Sequence, residues 1–507
     1  MTATVPSEVD RLLETARRLS PRNDVFIDGT FVPALAGRRF DCISPRDGRV
    51  LTTIAEGDRE DIDRAVQSAR RAFEDGRWAK QHPRERRRVL QALARLIEEH
   101  ADELALLEAL DMGKPVGDAR AVDVRVTMQC FDFYAEAIDK RYDEVAPTDD
   151  TTFATITREP YGVVAAIVPW NFPLMLAAWK LAPALAVGNS VVLKPAEASS
   201  LTALKLAELA AEAGLPAGVL NVVPGFGATA GAALGLHNDV DAITFTGSGP
   251  VGRTLLRASA DSNLKEVSLE LGGKSAQLVL ADATGLESIA TSVASGIFFN
   301  QGEVCSAGSR LVVHRSRKDE LVEHLLRATA RMKVGDPLDP DTSVGALVEE
   351  KHLHRVLGYI AAATDEGATT LAGGSQARID SGGYFVEPTI FDDVTPEMTI
   401  AQEEVFGPVL SILTFDDIDE GVRIANGTHY GLAAAVWTDS LSNAHLVARA
   451  LRAGTVWVNN YDGSDITVPF GGYKQSGFGA HDKSLHALEK YTTLKSTWMT
   501  LSRDLFR

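Results

Sequence analysis

The chain has 507 residues, 45% of them hydrophobic and 24% charged, enough to bury more than one core and to predict about two or three domains. Its formal net charge of -18 repels phosphate backbones and anionic lipid surfaces, which excludes nucleic acid and membrane as partners. Three scattered cysteines, Cys42, Cys130 and Cys305, cannot build a disulfide framework or a thiolate zinc site, so a reducing, cytoplasmic compartment and no metal are predicted.

Residues 1–23 alternate charged and apolar positions without an apolar stretch ahead of a cleavage site, unlike a secretory signal. Residues 25–31 predict a hairpin turning at Asp28-Gly29, and 44–50 a second turn. Helical spacing begins at Asp58 (Ile62, Ala65, Val66, Ala69, Ala72, Phe73) and recurs over 84–100 and 102–110, with 134–140 closing the helical region. Residues 151–158 alternate Thr with Phe and Ile ahead of Pro160, as an exposed ribbon does, which suggests a partner surface. The uncharged stretch 161–179 approaches the length of a membrane span, but Pro169, Asn171 and Pro173 break it into strand, turn and helix.

From Gly162 onward short apolar runs (163–168, 190–193, 220–223, 242–245) alternate with helical segments (200–213, capped by Gly214, and 229–236), the pattern of a parallel, doubly wound sheet. Such sheets bind ligands at the carboxyl ends of their strands, where Trp170-Asn171, Lys194 to Glu197 and Thr246-Gly247-Ser248 fall. The alternation restarts after Lys274: a buried helix over 289–297, a strand at 311–314, helices over 318–332 and 349–364, a strand over 454–460, a loop over 471–477 and a short helix over 485–491. A second α/β domain is predicted.

Cys305 sits among small and polar residues at a helix-to-strand connection, where it reads equally as a catalytic thiol or a small buried hydrophobe. Glu270, between two leucines, is a base raised by burial or an exposed strand residue. Asn171 is an oxyanion donor or a turn residue, and Lys194 and Glu197 are a ribose-binding pair or a solvated loop pair. Gly225, Gly227 and Gly231 miss the dinucleotide fingerprint by one position, and Gly247, Gly249 and Gly252 match it only loosely.

Together these residues resemble the aldehyde dehydrogenase superfamily. The resemblance is carried by Val168 to Pro173, Leu193 to Glu197, Phe245 to Ser248, Leu269 to Lys274, Asn300 to Cys305, Glu403 to Pro408 and Pro469 to Gly477, and spans Phe26 to Trp498. It implies two Rossmann-like doubly wound α/β domains plus a small β oligomerisation ribbon: 1–141 and 161–272 for NAD, 273–475 for catalysis, 142–160 and 489–507 for a homodimer or homotetramer. It implies that Cys305, as thiolate, adds to the aldehyde, that Asn171 and the Cys305 N–H hold the oxyanion, and that Glu270 activates water to hydrolyse the thioester; Lys194 joins this catalytic set. Ile167, Trp170, Lys194, Glu197, Gly227, Gly247, Ser248, Val251, Glu404 and Phe406 are implied at the cofactor, and Glu197 favours NAD over NADP.

The C-terminal stretches 459–470 and 482–490 are similar to the γ-glutamyl-γ-aminobutyraldehyde dehydrogenases of putrescine breakdown. They imply an ω-amino or γ-glutamylamino aliphatic aldehyde, with betaine aldehyde or a broad aliphatic range as the alternative. The tunnel implied is Phe172, Leu176, Trp179, Phe299 and Phe470, with Asp465 near its mouth. Departures from that group are an extra residue across 479–482, Glu303 for Gln and Ala196 for Ser. A nicotinamide-free cysteine hydrolase and a non-catalytic structural role are the other function classes.

Overall fold

The structure, a computed structural model, describes residues 8–479 and 481–501; expectations touching 1–7, the extra residue Ala480 and 502–507 lie outside the described residues. Two large sheets and one small one organise the chain. The first has a parallel centre ordered Leu220–Val222, Ser190–Lys194, Val163–Ile167, Ala242–Thr246, Glu266–Glu270, the reversing order of a doubly wound fold. Its three middle strands are buried along their whole length, which is why they read as continuous apolar runs rather than alternating ones. The hairpin Val25–Ile27 and Thr30–Val32 closes one edge and Gly477–Phe478 the other.

The second sheet runs Thr369–Ala372, Thr389–Asp392, Val409–Phe415, Arg310–His314, Ala276–Val279, Ala433–Trp437, Thr455–Val458, parallel except for its first pair. The chain leaves the carboxyl end of Glu266–Glu270 and within a few residues enters the amino end of Ala276–Val279. The carboxyl edge of one sheet therefore faces the amino edge of the other, and the cleft between these edges holds the residues of interest.

Helix Pro173–Val187 shows the local logic. Proline at its first position sets φ where no N–H is required, and Gly188 at φ 107 stops the helix in the left-handed region. All its residues but Val187 are buried, so it lacks a polar face and could serve only as an interior helix.

The third sheet pairs Thr492–Thr500 with Thr152–Pro160, and Glu144–Ala146 beyond it. The ribbon predicted from alternation thus finds a partner within its own chain, while Leu494 and Trp498 stay 65% and 69% exposed. Among the elements that the sequence does not foretell are helix Glu8–Arg18, most of helix Arg125–Ala137, several strands of the second sheet (Ala276–Val279, Thr389–Asp392, Val409–Phe415, Ala433–Trp437), and the edge strand Gly477–Phe478, too short to show a period.

Arg310 locks the amino edge of the second sheet. Its buried guanidinium donates to the carbonyls of Lys274 (3.0 Å), Ile424 (2.9 Å) and Ala425 (2.7 Å), and burial pulls its pKa down to about 10. Arg310→Met leaves three buried carbonyls without this donor, at about 1–3 kcal/mol each. Chemical denaturation should show a clearly lower midpoint, and a wild-type midpoint would disprove the lock.

Candidate active site

Helix Leu286–Phe298 ends against a loop that turns back on itself. Asn300 (φ 48), Gln301 (φ 56) and Gly302 (φ 73) lie consecutively in the left-handed region, and Cys305 follows. Two non-glycine residues in that region carry strain that must be held from outside. Asn300 Nδ2 donates to the Asn171 carbonyl (3.1 Å) and the Glu303 carbonyl (3.2 Å), while Gly345 N–H reaches Gln301 Oε1 (3.1 Å) and Val348 N–H reaches Glu303 Oε1 (3.1 Å). Asn171, from the loop after strand Val163–Ile167, closes the circle with Nδ2 on the Glu303 carbonyl at 2.8 Å. One amide hydrogen of Asn171 remains for another acceptor, and its Oδ1 is buried without a partner.

Cys42 and Cys130 are buried, whereas Cys305 is partly accessible. Burial first, then the carboxylates of Glu270, Glu404 and Asp462, push the Cys305 thiol well above its ordinary range. No cationic side chain stands among the groups that shift it. Glu270, at the end of strand Glu266–Glu270, is 4% exposed, and its Oε1 has no protein donor. Burial and then Asp482 raise its carboxyl well up, against the opposing effect of Lys180 and Lys490. Both lysines bind the buried Asp482 carboxylate directly. This arrangement suits proton removal at the thiol or at a water.

The cleft continues past the thiol toward the first sheet. Glu404 Oε1 accepts from Gly273 N–H at 2.8 Å, and burial raises its carboxyl to about 7. Phe406 (φ 61) lies edge-on to Trp170 at 5.3 Å, and His352 donates through Nε2 to the Phe406 carbonyl at 2.7 Å. His352 escaped the sequence reading because nothing in its own helix marks it. Burial pulls it down to about 4, so it is neutral.

Lys194 is buried, with Nζ on the Pro195 carbonyl (2.9 Å) and on Glu197 (3.1 Å). Beside Glu197 opens a cleft of about 280 Å³ whose walls include Phe40, Phe226, Glu349 and Tyr384. Ile167 ends the central strand, and Gly247 and Ser248 precede helix Gly249–Ala260, at whose first turn Val251 is exposed. Ser248 makes no side-chain cap there, and a side chain at Gly227 would meet only open space. A bare helix start, a carboxylate able to accept a ribose diol and a roomy cleft fit a dinucleotide.

On the other side of the thiol Phe172 stacks on Phe299 (6.3 Å) and Trp179 lies tilted against Phe470 (5.7 Å), with Leu176 buried on the same helix as Trp179. The Lys483 ammonium lies 5.4 Å from the Trp179 ring and 5.8 Å from Phe470. Asp465 is exposed and turned to its own loop, accepting from Thr467 N–H (2.8 Å) and Oγ1 (2.5 Å). After Glu270 and Glu404, the carboxylate that bears on the thiol is Asp462 (φ 59), 3.4 Å from Ser306 Oγ and pushed up to about 6 by burial although solvent reaches it. Its position after Tyr461, whose hydroxyl donates to the Ser306 carbonyl, was the available signal.

Residues 31–497 match the sequence model of the aldehyde dehydrogenase family. The chain is 50% identical over 488 residues to the NADP/NAD-dependent aldehyde dehydrogenase PuuC of Escherichia coli, covering 96% of this chain and 98% of that protein. Among solved structures, an indole-3-acetaldehyde dehydrogenase complexed with NAD+ is 56% identical with TM-score 0.96, covering 98% of this chain and 100% of its own. A γ-glutamyl-γ-aminobutyraldehyde dehydrogenase from Burkholderia cenocepacia is 55% identical with TM-score 0.96, covering 97% and 100%.

The geometry sets the behaviour of the thiol with pH. Iodoacetamide should alkylate Cys305 at a rate that climbs with pH through a midpoint above the usual value of about 8.5. In Glu270→Gln, which removes a neighbouring negative charge, that midpoint should fall. A wild-type midpoint at or below the usual value contradicts the electrostatics described.

Proposed function

The chain belongs to the aldehyde dehydrogenase family, and on that premise we propose that it oxidises an ω-amino or γ-glutamylamino aliphatic aldehyde to the carboxylic acid, with NAD preferred over NADP. The observation that carries this is the convergence of Asn171, Cys305 and Glu270, from three distant parts of the chain, on one cleft. Cys305 loses its proton to a neighbouring carboxylate and adds through Sγ to the carbonyl carbon. The free Asn171 amide hydrogen and the Cys305 N–H receive the oxyanion. Bound NAD supplies the hydride acceptor. The thioester left on Cys305 is hydrolysed by water that Glu270 deprotonates, work suited to a buried carboxyl raised above its ordinary range.

Glu404, Phe406 and Trp170 would hold the nicotinamide end of the cofactor. Lys194, Glu197, Ile167, Gly227, Gly247, Ser248 and Val251 would hold the adenosine and pyrophosphate, and the Glu197 carboxylate repels a 2′-phosphate. Residues 1–141 with 161–272 form this half in our reading, 273–475 the catalytic half, and 142–160 with 489–507 the assembly ribbon. Asp462 supports a cationic substrate, because a carboxylate beside the thiol attracts an ammonium. The similarity to PuuC and to the γ-glutamyl-γ-aminobutyraldehyde dehydrogenase agrees with that class. A second reading, an aryl acetaldehyde, is favoured by the four rings of Phe172, Phe299, Trp179 and Phe470. Among the described residues no helix is long and apolar enough to cross a membrane, in keeping with a cytoplasmic enzyme.

Cys305→Ala should abolish NADH formation while NAD binding persists, and Glu270→Gln should keep a first-turnover burst but slow the steady rate; surviving turnover of Cys305→Ala sinks the mechanism, and acid released without NADH identifies a hydrolase instead. In Asp462→Asn, kcat/KM for 4-aminobutanal should fall about tenfold, the equivalent of roughly 1.4 kcal/mol, while that for pentanal holds. Equal losses for both exclude ammonium recognition, and a wild-type preference for indole-3-acetaldehyde selects the second reading.

The exposed apolar residues of the ribbon support a dimer or tetramer. Trp498→Glu should therefore elute later than wild type in size-exclusion chromatography; an unchanged elution volume removes this face from the assembly.

A further inference from the structure

Lys114 follows helix Ala101–Met112 and its left-handed cap Gly113. Its side chain is 1% exposed, far from the usual place of a lysine. The ammonium is 2.7 Å from Asp123 Oδ1, 3.3 Å from Glu108 Oε1 and 4.0 Å from the centre of the Phe172 ring. Burial and then Asp123 push the Glu108 carboxyl well up, against the opposing pull of Lys114. The ammonium is thus held between two buried carboxyl groups and stands over the face of the ring.

The surroundings tie this cation to both walls of the cleft. Ala346 N–H donates to the Gly113 carbonyl (3.0 Å) and Val116 N–H to the Pro337 carbonyl (2.8 Å), so the 113–116 segment is bonded to the same loop that supports the nucleophile. That loop supplies Gly345 N–H to Gln301 and Val348 N–H to Glu303. Lys114 also draws the Glu303 carboxyl downward, against its burial. On the opposite wall Phe172 stacks on Phe299 and directly follows Asn171. A phenyl ring packed only on hydrocarbon can tilt and slide, whereas a desolvated cation over its face fixes both.

We propose that Lys114 is a positioning residue for the reaction: its buried ammonium, held by Glu108 and Asp123, clamps the Phe172 ring and thereby fixes the Asn171 amide against the Cys305 loop. This deepens the aldehyde dehydrogenase reading and rests on it.

The test compares variants with a wild-type enzyme already shown to make NADH from pentanal; a wild type that makes none refutes the functional reading and not the clamp. Lys114→Met/Asp123→Asn removes the cation together with the carboxylate closest to it. It should retain the wild-type melting midpoint and NAD affinity, with kcat for pentanal down about 10- to 100-fold, the scale of a displacement near 1 Å at a reacting group. Turnover at the wild-type rate overturns the proposal, as does a parallel loss of NAD binding and activity, which would mark a general structural role. Phe172→Leu gives a second reading if the double variant does not fold. It should lose kcat to a similar degree with NAD affinity intact, and a loss below about threefold overturns the clamp.

Discussion

The amide of Asn171 ties two loops that belong to different sheets. Its Nδ2 donates to the Glu303 carbonyl, and Asn300 Nδ2 donates back to the Asn171 carbonyl, so the strained turn before Cys305 is held from the first sheet. Without that cross-link the left-handed pair Asn300 and Gln301 would have little reason to keep its conformation, and the position of the thiol depends on that pair. The facing edges of the two sheets make the cross-link possible. Strand ends from one sheet bring Asn171, Lys194 and Glu270, and the segments that lead into strands of the other bring Cys305 and Glu404.

Charge beside this cleft is arranged in small hydrogen-bonded groups. Asp482 binds Lys180 and Lys490, and the group as a whole bears on Glu270 in both directions: the carboxylate raises it, the lysines lower it. Lys114 is paired with both Asp123 and Glu108, whose carboxyl burial pushes well up. Isolated buried charges would cost several kcal/mol each, so such groups persist only where geometry and hydrogen bonds compensate. Glu270 stands outside them with one unpaired oxygen, as a group that must exchange a proton does.

Much of the architecture was legible from periodicity. The runs that became Val163–Ile167, Ser190–Lys194 and Ala242–Thr246 are apolar without alternation because both faces of a parallel sheet are covered, and the intervening helices follow 3.6-residue spacing. Gly477–Phe478 was hidden because a two-residue edge strand has no period, and its place is decided by pairing with Leu269 and Glu270. Among the candidate site residues, Asn171, Glu270 and Cys305 carried short-range signals in their motifs. His352 carried none and Asp462 only its place after Tyr461, while the ring that Lys114 faces, Phe172, lies far from it in the chain.

The sequence by itself determined the alternation of strand and helix, the family resemblance and the identity of the thiol, amide and carboxylate, because these depend on residue type and local spacing. Only the tertiary structure decided the upward shift of the thiol, the bonds of Asp465 to its own loop, and the cation beneath Phe172. The first and last of those depend on desolvation and on contacts between distant residues, and burial is a property of the folded whole.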